Sequence, residues 1–243
     1  MNPLLQHRDA VDSTNDEVRA EVLRGCQDGY AIYASEQRAG RGRHGRVWVS
    51  VGGVQLYMSV ALTGPQWQAH AMQVPLAAGV GACRALLECA SVSLSLKWPN
   101  DLIIDDKKVG GILCEGVSDG RGFRGIVVGI GVNLGHPTSE VPDTIATRAA
   151  FLASMGALPE LHVIASGVRR HIHASALELV RGRTQEIIAA WRDLDGMIGR
   201  PVQVWVDGTQ RPGIAKGVRP NGALVVRVDD RDVEIVSGEV IWT

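Results

Sequence analysis

The stretch AGRGRHGRVW, Ala39 to Trp48, sets Gly40, Gly42 and Gly45 at the spacing of a dinucleotide-binding turn, and the residues after it exclude that fold. A dinucleotide turn leads from a strand into a helix whose N-terminus holds the pyrophosphate. YAIYASEQ, before the loop, reads as a strand. RVWVSVGGVQLYMSVAL, after it, alternates and is rich in β-branched residues, so it predicts strands with a turn near Gly52-Gly53 instead of a helix. No acidic residue stands about 20 positions on to take a ribose hydroxyl. The glycine loop therefore lies between strands, and Arg41, Arg43 and Arg46 within it ask for a different ligand.

Around this loop the chain alternates between helical and strand texture. STNDEVRAEVLRG predicts a helix, with Thr14 and Glu17 as a capping box, Val18, Val22 and Leu23 on one face, and Gly25 at its end. PLAAGVGACRALLECA predicts a second helix, with Pro75 in its first turn and Leu76, Val80, Cys83, Leu86 and Leu87 as one stripe. VSLSLKW, DLIIDDKKVGGILCEG and FRGIVVGIGVNL predict three or four strands, with a hairpin at Asp105-Asp106-Lys107-Lys108. From Leu158 to Leu194 the period returns to helix, broken near Gly182, with Leu161, Ile164, Val168 and Ile172 on one face and Ile187, Ile188, Trp191 and Leu194 on another. Past Gly196 come short strands with turns at Asp207-Gly208, Asn221-Gly222 and Asp229-Asp230, the pattern of a small β-barrel. The domain boundary is expected near Asp195–Gly199, giving units 1–196 and 197–243.

The chain has 243 residues with 45% hydrophobic content, enough for a full core. Its formal net charge of −1 gives it no global field for gathering nucleic acid, so any anion must be met by a local cluster. Residues 38–46 are the densest one. Cys26, Cys83, Cys89 and Cys114 have no metal-ligand spacing, and they read as reduced, mostly buried thiols of a cytosolic protein. The N-terminus lacks the apolar run of a signal peptide, and no stretch approaches the ~20 apolar residues of a membrane span.

Physically, the loop is built for an anion. Its glycines bring bare N–H groups close to a ligand, and its arginines supply forked donors for carboxylate or phosphate. The bland alternative is a solvated basic surface loop. KWPND puts Lys97 at a strand end, because Pro99 keeps Trp98 out of helical geometry and Asn100-Asp101 favours a turn. KVGGILCE puts Gly110-Gly111 inside a strand, which marks either a ligand packed on the sheet or a bulge. GIGVNL ends a strand at Asn133, whose amide either pairs with an adenine edge or caps a turn. His44 reads as incidental, and Asp101 as a turn residue.

Taken in order, DSTN, QRAGRGRHGRVW, KWPND, KVGGIL and GIGVNL resemble the motif series of the biotin protein ligases, over almost the whole chain. The resemblance implies an α+β fold. A mixed β-sheet flanked by helices, related to lipoate ligases and class II aminoacyl-tRNA synthetases, precedes an SH3-like barrel. It implies an enzyme that makes biotinyl-5′-AMP from biotin and ATP, with Mg²⁺ expected, and transfers biotin to one lysine of a biotin carboxyl carrier protein. By the same resemblance Lys97, Arg41 and Arg43 are catalytic. Ser13, Thr14, Asn15, Gln37, Gly40, Arg41, Lys97, Gly110 and Gly111 bind biotin, and Arg41, Arg43, Trp48, Lys97 and Asn133 bind ATP. The metal ligands are left unassigned. Some members carry a helix-turn-helix domain ahead of these motifs. Here the first motif starts at Asp12, so the expectation is a short form with no DNA partner, cytoplasmic, off the membrane, with a homodimer as one use of its strand edges. The rivals are a lipoate ligase or octanoyltransferase on the same fold, a nucleotide-responsive module without catalysis, and a nucleic-acid-binding protein. The asparagine of KWPND and the arginine loop favour biotin, and a pI of about 6.7 speaks against the last.

Overall fold

The structure is a computed structural model and describes residues 3–49, 54–138, 146–206, 208–238 and 240–242. The expected turn near Gly52-Gly53 and Asp207 of the Asp207-Gly208 turn lie outside the described residues. Seven strands form one mixed sheet: β1 (Leu5–Val11), β2 (Ala31–Gln37), β3 (Gln55–Thr63), β4 (Ser95–Lys97), β5 (Asp101–Ile104), β6 (Lys107–Asp119) and β7 (Gly122–Asn133). Their order is β1-β2-β3-β7-β6-β5-β4, with β1 parallel to β2 and every other pairing antiparallel. The helices are α1 (Thr14–Arg24), α2 (Val74–Ala90), α3 (Leu161–Val180) and α4 (Thr184–Asp193).

The sheet is covered on both faces, and the sequence of β3 records this as an unbroken buried run. Leu56, Met58, Val60 and Leu62 join Leu76, Val80, Leu86, Ile164, Val168 and Trp191 in the main core under α2, α3 and α4. On the opposite face Ala61 and Val127 pack with Val18 and Val22 of α1 in a smaller cluster. Because α1 covers only part of that face, the sheet beyond its N-terminus is left for a cleft. The expected stripes hold except at their ends: Leu23 and Leu87 are exposed. The expected capping box does not form. Ser13 takes the N-cap position without a side-chain cap, and the Thr14 hydroxyl is turned to Ser59 and Gln37 instead. Gly25 closes α1 in the left-handed region at φ 86°, as its place in the sequence predicts.

Two further expectations change. Leu5–Val11 carries no alternation and was not legible as a strand, yet it pairs with β2 along its length. Arg46–Val49 alternates but is not a ladder: Arg41 and Val47 make one isolated bridge, and the alternation leaves Val47 and Val49 exposed while Trp48 is only partly so. The β5–β6 hairpin turns through Asp105 and Asp106 alone, both at positive φ, with Ile104 paired to Lys107.

Past Gly196, β8 (Pro201–Val206), β9 (Thr209–Val218), β10 (Leu224–Val228), β11 (Arg231–Ile235) and β12 (Ile241–Trp242) form a second, antiparallel sheet. Its order is β11-β10-β9-β8-β12, an open ladder among the described residues and not the closed barrel expected. Met197, Val202, Val204 and Val226 share the main core, and the Trp98 indole N–H donates to Gly222 O at 3.0 Å, so the two sheets are packed together. All four cysteines are free, but only Cys83 is buried; the expectation of mostly buried thiols fails for the other three. Desolvation pushes the Cys83 thiol up to about 12. Among the described residues no helix is long and apolar enough to cross a membrane.

Candidate active site

The cleft, of about 170 Å³, lies where the loop after β2 folds over the middle of the large sheet. Its floor is backbone. On β6 Gly111 and on β7 Gly129 and Gly131 face the cleft; a Cβ has no room at Gly129 or Gly131, and one at Gly111 would crowd the Lys108 side chain at 3.2 Å. A Cβ on Gly131 would come within 2.7 Å of the Trp48 ring, and one on Gly129 within 2.2 Å of Asn15 Oδ1. Gly110 is different: strand alternation turns its empty position to the core, against Leu102 and Val132, and it does not line the cleft. The glycine that sequence reasoning paired with Gly111 is thus a packing residue. Gly129 and Gly131, in the motif read only for Asn133, complete the floor.

One wall is neutral and buried. Ser13, Thr14 and Asn15, at the start of α1, are 4%, 3% and 5% exposed. Gln37, at the end of β2, accepts from the Thr14 N–H at 3.0 Å, and the Thr14 hydroxyl oxygen lies 3.2 Å from the same Oε1. Ser59, at the centre of β3, reaches Thr14 Oγ1 at 2.8 Å and Asn15 Oδ1 at 2.6 Å. Asn15 Nδ2 donates to Glu115 Oε2 at 2.5 Å. Sequence reasoning missed Ser59 and Glu115. The available signals were a hydroxyl interrupting an apolar strand, and a carboxylate at even spacing from Gly111 on β6.

The other side is cationic. Lys97 ends β4, half-buried, and lines the cleft with Asn100, Asp101 and Lys108. Asp101 bonds to Lys108 Nζ at 2.6 Å, and that ammonium stands 5.7 Å from the Trp48 ring centroid, within cation–π range. The loop is drawn together by Trp48 N donating to Gly40 O at 2.9 Å and Gly42 N to Arg46 O at 2.7 Å. His44 at φ 55° and Gly45 at φ 73° make its tip. Arg41 grips Asp16 with both guanidinium nitrogens at 2.7 Å and lies 3.5 Å from Glu115. That pairing raises the Arg41 pKa and lowers that of Asp16. Arg43 Nη1 bridges Asn100 Oδ1 at 3.5 Å and Gly238 O at 3.4 Å, tying the loop to the second sheet.

Two residues sit otherwise than their sequence roles require. Trp48 lies on the glycine floor, and among the described residues its buried indole N–H has no hydrogen-bond partner. Asn133 is outside the cleft: its Oδ1 accepts from Gln55 at 3.3 Å and its Nδ2 donates to Ala150 O at 3.1 Å. Among the described residues no group of three or more His, Cys, Asp or Glu side chains converges on a metal site.

A floor without side chains, a neutral hydrogen-bonding wall and a cationic rim together suit a flat polar ring carrying an anionic tail. Comparison with known proteins points the same way. The chain is 31% identical to the biotin–[acetyl-CoA-carboxylase] ligase of Mycobacterium tuberculosis over 94% of this chain and 85% of that one. It is 30% identical to the bifunctional ligase/repressor BirA of Escherichia coli, over 95% of this chain and 71% of BirA. The biotin protein ligase of Aquifex aeolicus in complex with biotin and ATP superposes with a TM-score of 0.83 at 28% identity, covering 98% of this chain and 97% of that one. The family model of the biotin/lipoate A/B protein ligases matches residues 9–133, which hold the floor, the wall and the loop, and the chain belongs to that family.

Proposed function

We propose that this chain is a biotin protein ligase that converts biotin and ATP to biotinyl-5′-AMP and then biotinylates a lysine of a biotin carboxyl carrier protein, of acetyl-CoA carboxylase or a related carboxylase. The observation that carries the reading is the division of one cleft into a neutral wall over a glycine floor and a cationic side. In the first step a biotin carboxylate oxygen attacks the α-phosphorus, the bond to the β-phosphate oxygen breaks, and pyrophosphate leaves. The reactants are two anions, so catalysis rests on positioning and on cations fixed where charge develops. Lys97, anchored at a strand end, suits that role at the carboxylate and α-phosphate, with Arg41 and Arg43 on the phosphates. In the second step the acceptor amine attacks the acyl carbon, loses a proton, and AMP leaves. No covalent enzyme intermediate is required.

The ureido ring meets Ser13, Thr14, Asn15 and Gln37, and the ring system lies on Gly111 beside Gly40, with Trp48 moving off the floor to wall the nucleotide. Asn133 is the least supported member, since meeting adenine would cost its bonds to Gln55 and Ala150. Mg²⁺ would accompany ATP, and among the described residues no group of three or more His, Cys, Asp or Glu side chains is gathered to hold it. In this reading residues 1–196 are the catalytic unit, residues 197–243 steady the loop through Gly238, and the protein works in the cytoplasm without DNA or membrane. A homodimer would use an edge of the large sheet such as β1, and sedimentation with and without carrier tests it. The central test is incubation with biotin, ATP and Mg²⁺, with mass analysis for biotinyl-AMP and for a biotinylated carrier domain. Lipoate or octanoate activated in place of biotin would overturn the reading.

A further inference from the structure

Glu115 has no part in the roles above, yet it touches both sides of the cleft. It lies on β6 two residues beyond Leu113 and four beyond Gly111, so all three share the face that carries the site. Its Oε2 accepts from Asn15 Nδ2 at 2.5 Å and is 3.5 Å from Arg41 Nη2. Asn15 is buried, so its amide must find partners inside the protein. Its nitrogen also reaches Leu113 O at 3.4 Å, and its oxygen faces the Ser59 hydroxyl at 2.6 Å.

The orientation of that amide is dictated by charge. An ionised carboxylate only accepts, so Asn15 must turn its nitrogen toward Glu115 and its oxygen toward Ser59. Ser59 has a single proton, and the Asn15 oxygen claims it. The Ser59 oxygen is then left to accept, and it takes the Thr14 hydroxyl proton across the 2.8 Å between them. Thr14 holds Gln37 Oε1 with its backbone N–H at 3.0 Å. With its oxygen so occupied, Gln37 directs its nitrogen toward Gly40 and the loop. A neutral group in place of Glu115 would let Asn15 flip, and the order of donors and acceptors along the wall would no longer be fixed.

We propose that Glu115 is a positioning residue that sets the hydrogen-bond polarity of the neutral wall, from Asn15 through Ser59 to the Thr14 hydroxyl, and thereby its selectivity for a cyclic urea. This rests on the biotin reading, because a urea is the group whose oxygen and two N–H groups need that fixed order. The test compares wild type, Glu115→Gln, Asn15→Asp and the double variant in steady-state biotinyl-AMP formation, with thermal melts of each. Glu115→Gln is expected to raise the KM for biotin about tenfold, as for a lost charge-assisted hydrogen bond, with kcat and the KM for ATP unchanged. Asn15→Asp alone sets two carboxylates against each other and is expected to lose more. The double variant restores one acceptor opposite one donor and is expected to recover most of the KM for biotin, which a merely structural role would not do. An unchanged KM in Glu115→Gln, a fall in kcat with no change in KM, no recovery in the double variant, or loss of a cooperative melt would each overturn the assignment. If wild type makes no biotinyl-AMP, the biotin reading itself falls; if it does, failure of the variants removes only the role of Glu115.

Discussion

The two sides of the cleft are held in different ways. Thr14, Asn15, Gln37 and Ser59 stand on α1, β2 and β3, and their bonds run from one regular element to another. Thr14, Asn15 and Ser59 are buried, so their partners are compulsory. Arg41 and Arg43 stand on an irregular loop, and Arg41 and its partner Asp16 are 41% and 52% exposed. Exposed ion pairs of that kind are exchangeable, because water competes for both partners. The wall is therefore preorganised for a neutral group, and the loop is able to trade one carboxylate partner for another anion. Lys97 is a cation carried by the scaffold, and it separates the effect of charge from the effect of mobility.

The largest expected effect comes from that lysine. Lys97→Ala is expected to cost adenylation about 2–4 kcal/mol if it is a preorganised charge at the reacting centre, while the thermal melt stays that of wild type. Measured single-turnover formation of biotinyl-AMP near the wild-type rate would place the working cations on the loop alone and break the comparison. Next comes Gly129→Ala, aimed at the wall. The new methyl would meet Asn15 Oδ1 at 2.2 Å, among groups that cannot yield without losing a buried bond. The expected result is a loss of about 1–3 kcal/mol in stability from overpacking, together with weakened biotin binding by calorimetry. A variant as stable and as tight-binding as wild type would mean that the wall is softer than its bonds suggest.

Legibility in the sequence divides along the same line. α2, α3 and α4 and strands β2–β7 came from periodicity and turn chemistry, because each buries a continuous face. β1 was not legible, since Leu5–Val11 is an edge strand whose pairing, and not its pattern, makes it a strand. The loop and Lys97 announced themselves through residue types that are costly to place without a use. The wall did not: Ser59 and Glu115 are ordinary residues until the sheet brings β3 and β6 to α1, and no local spacing encodes that meeting. Gly110 misled for the opposite reason. A glycine pair in a strand has one member on each face, and the sequence does not say which face holds the ligand.

A smaller effect is expected from the loop. Arg41→Gly removes the guanidinium that Asp16 holds, and with it a ligand for the adenylate phosphate in the proposed mechanism. Release of biotinyl-AMP is expected to quicken about tenfold, which corresponds to ~1.4 kcal/mol, with biotin appearing on lysines of bystander proteins. Arg46→Gly is expected to do less. Limited proteolysis at Arg41 and Arg43 should slow when biotin is added, and slow further with biotinyl-AMP, because closure shields the anhydride. Equal cleavage in all states and unchanged release would show the loop to be as preorganised as the wall.

The smallest effect tests the exchangeable pair itself. The Arg41 guanidinium, by hydrogen bonding, holds the Asp16 carboxyl below its usual range. A carboxylate with a depressed folded-state pKa adds stability above its unfolded pKa, and that stability is lost as pH falls through the folded value. With both partners half exposed, the contribution at neutral pH is at most ~1 kcal/mol. Asp16→Asn should therefore melt slightly below wild type at pH 7, and the gap should close as pH falls below the ordinary carboxylate range and Asp16 takes up its proton. In the same variant Arg41 is released from one competitor, so an anionic ligand should bind slightly tighter at pH 7 and not looser. A gap that persists in acid would mean that Asp16 acts through packing at the start of α1. Tightening absent at pH 7 would mean that Arg41 does not exchange partners, and the distinction between a fixed wall and a trading loop would rest on Arg43 alone.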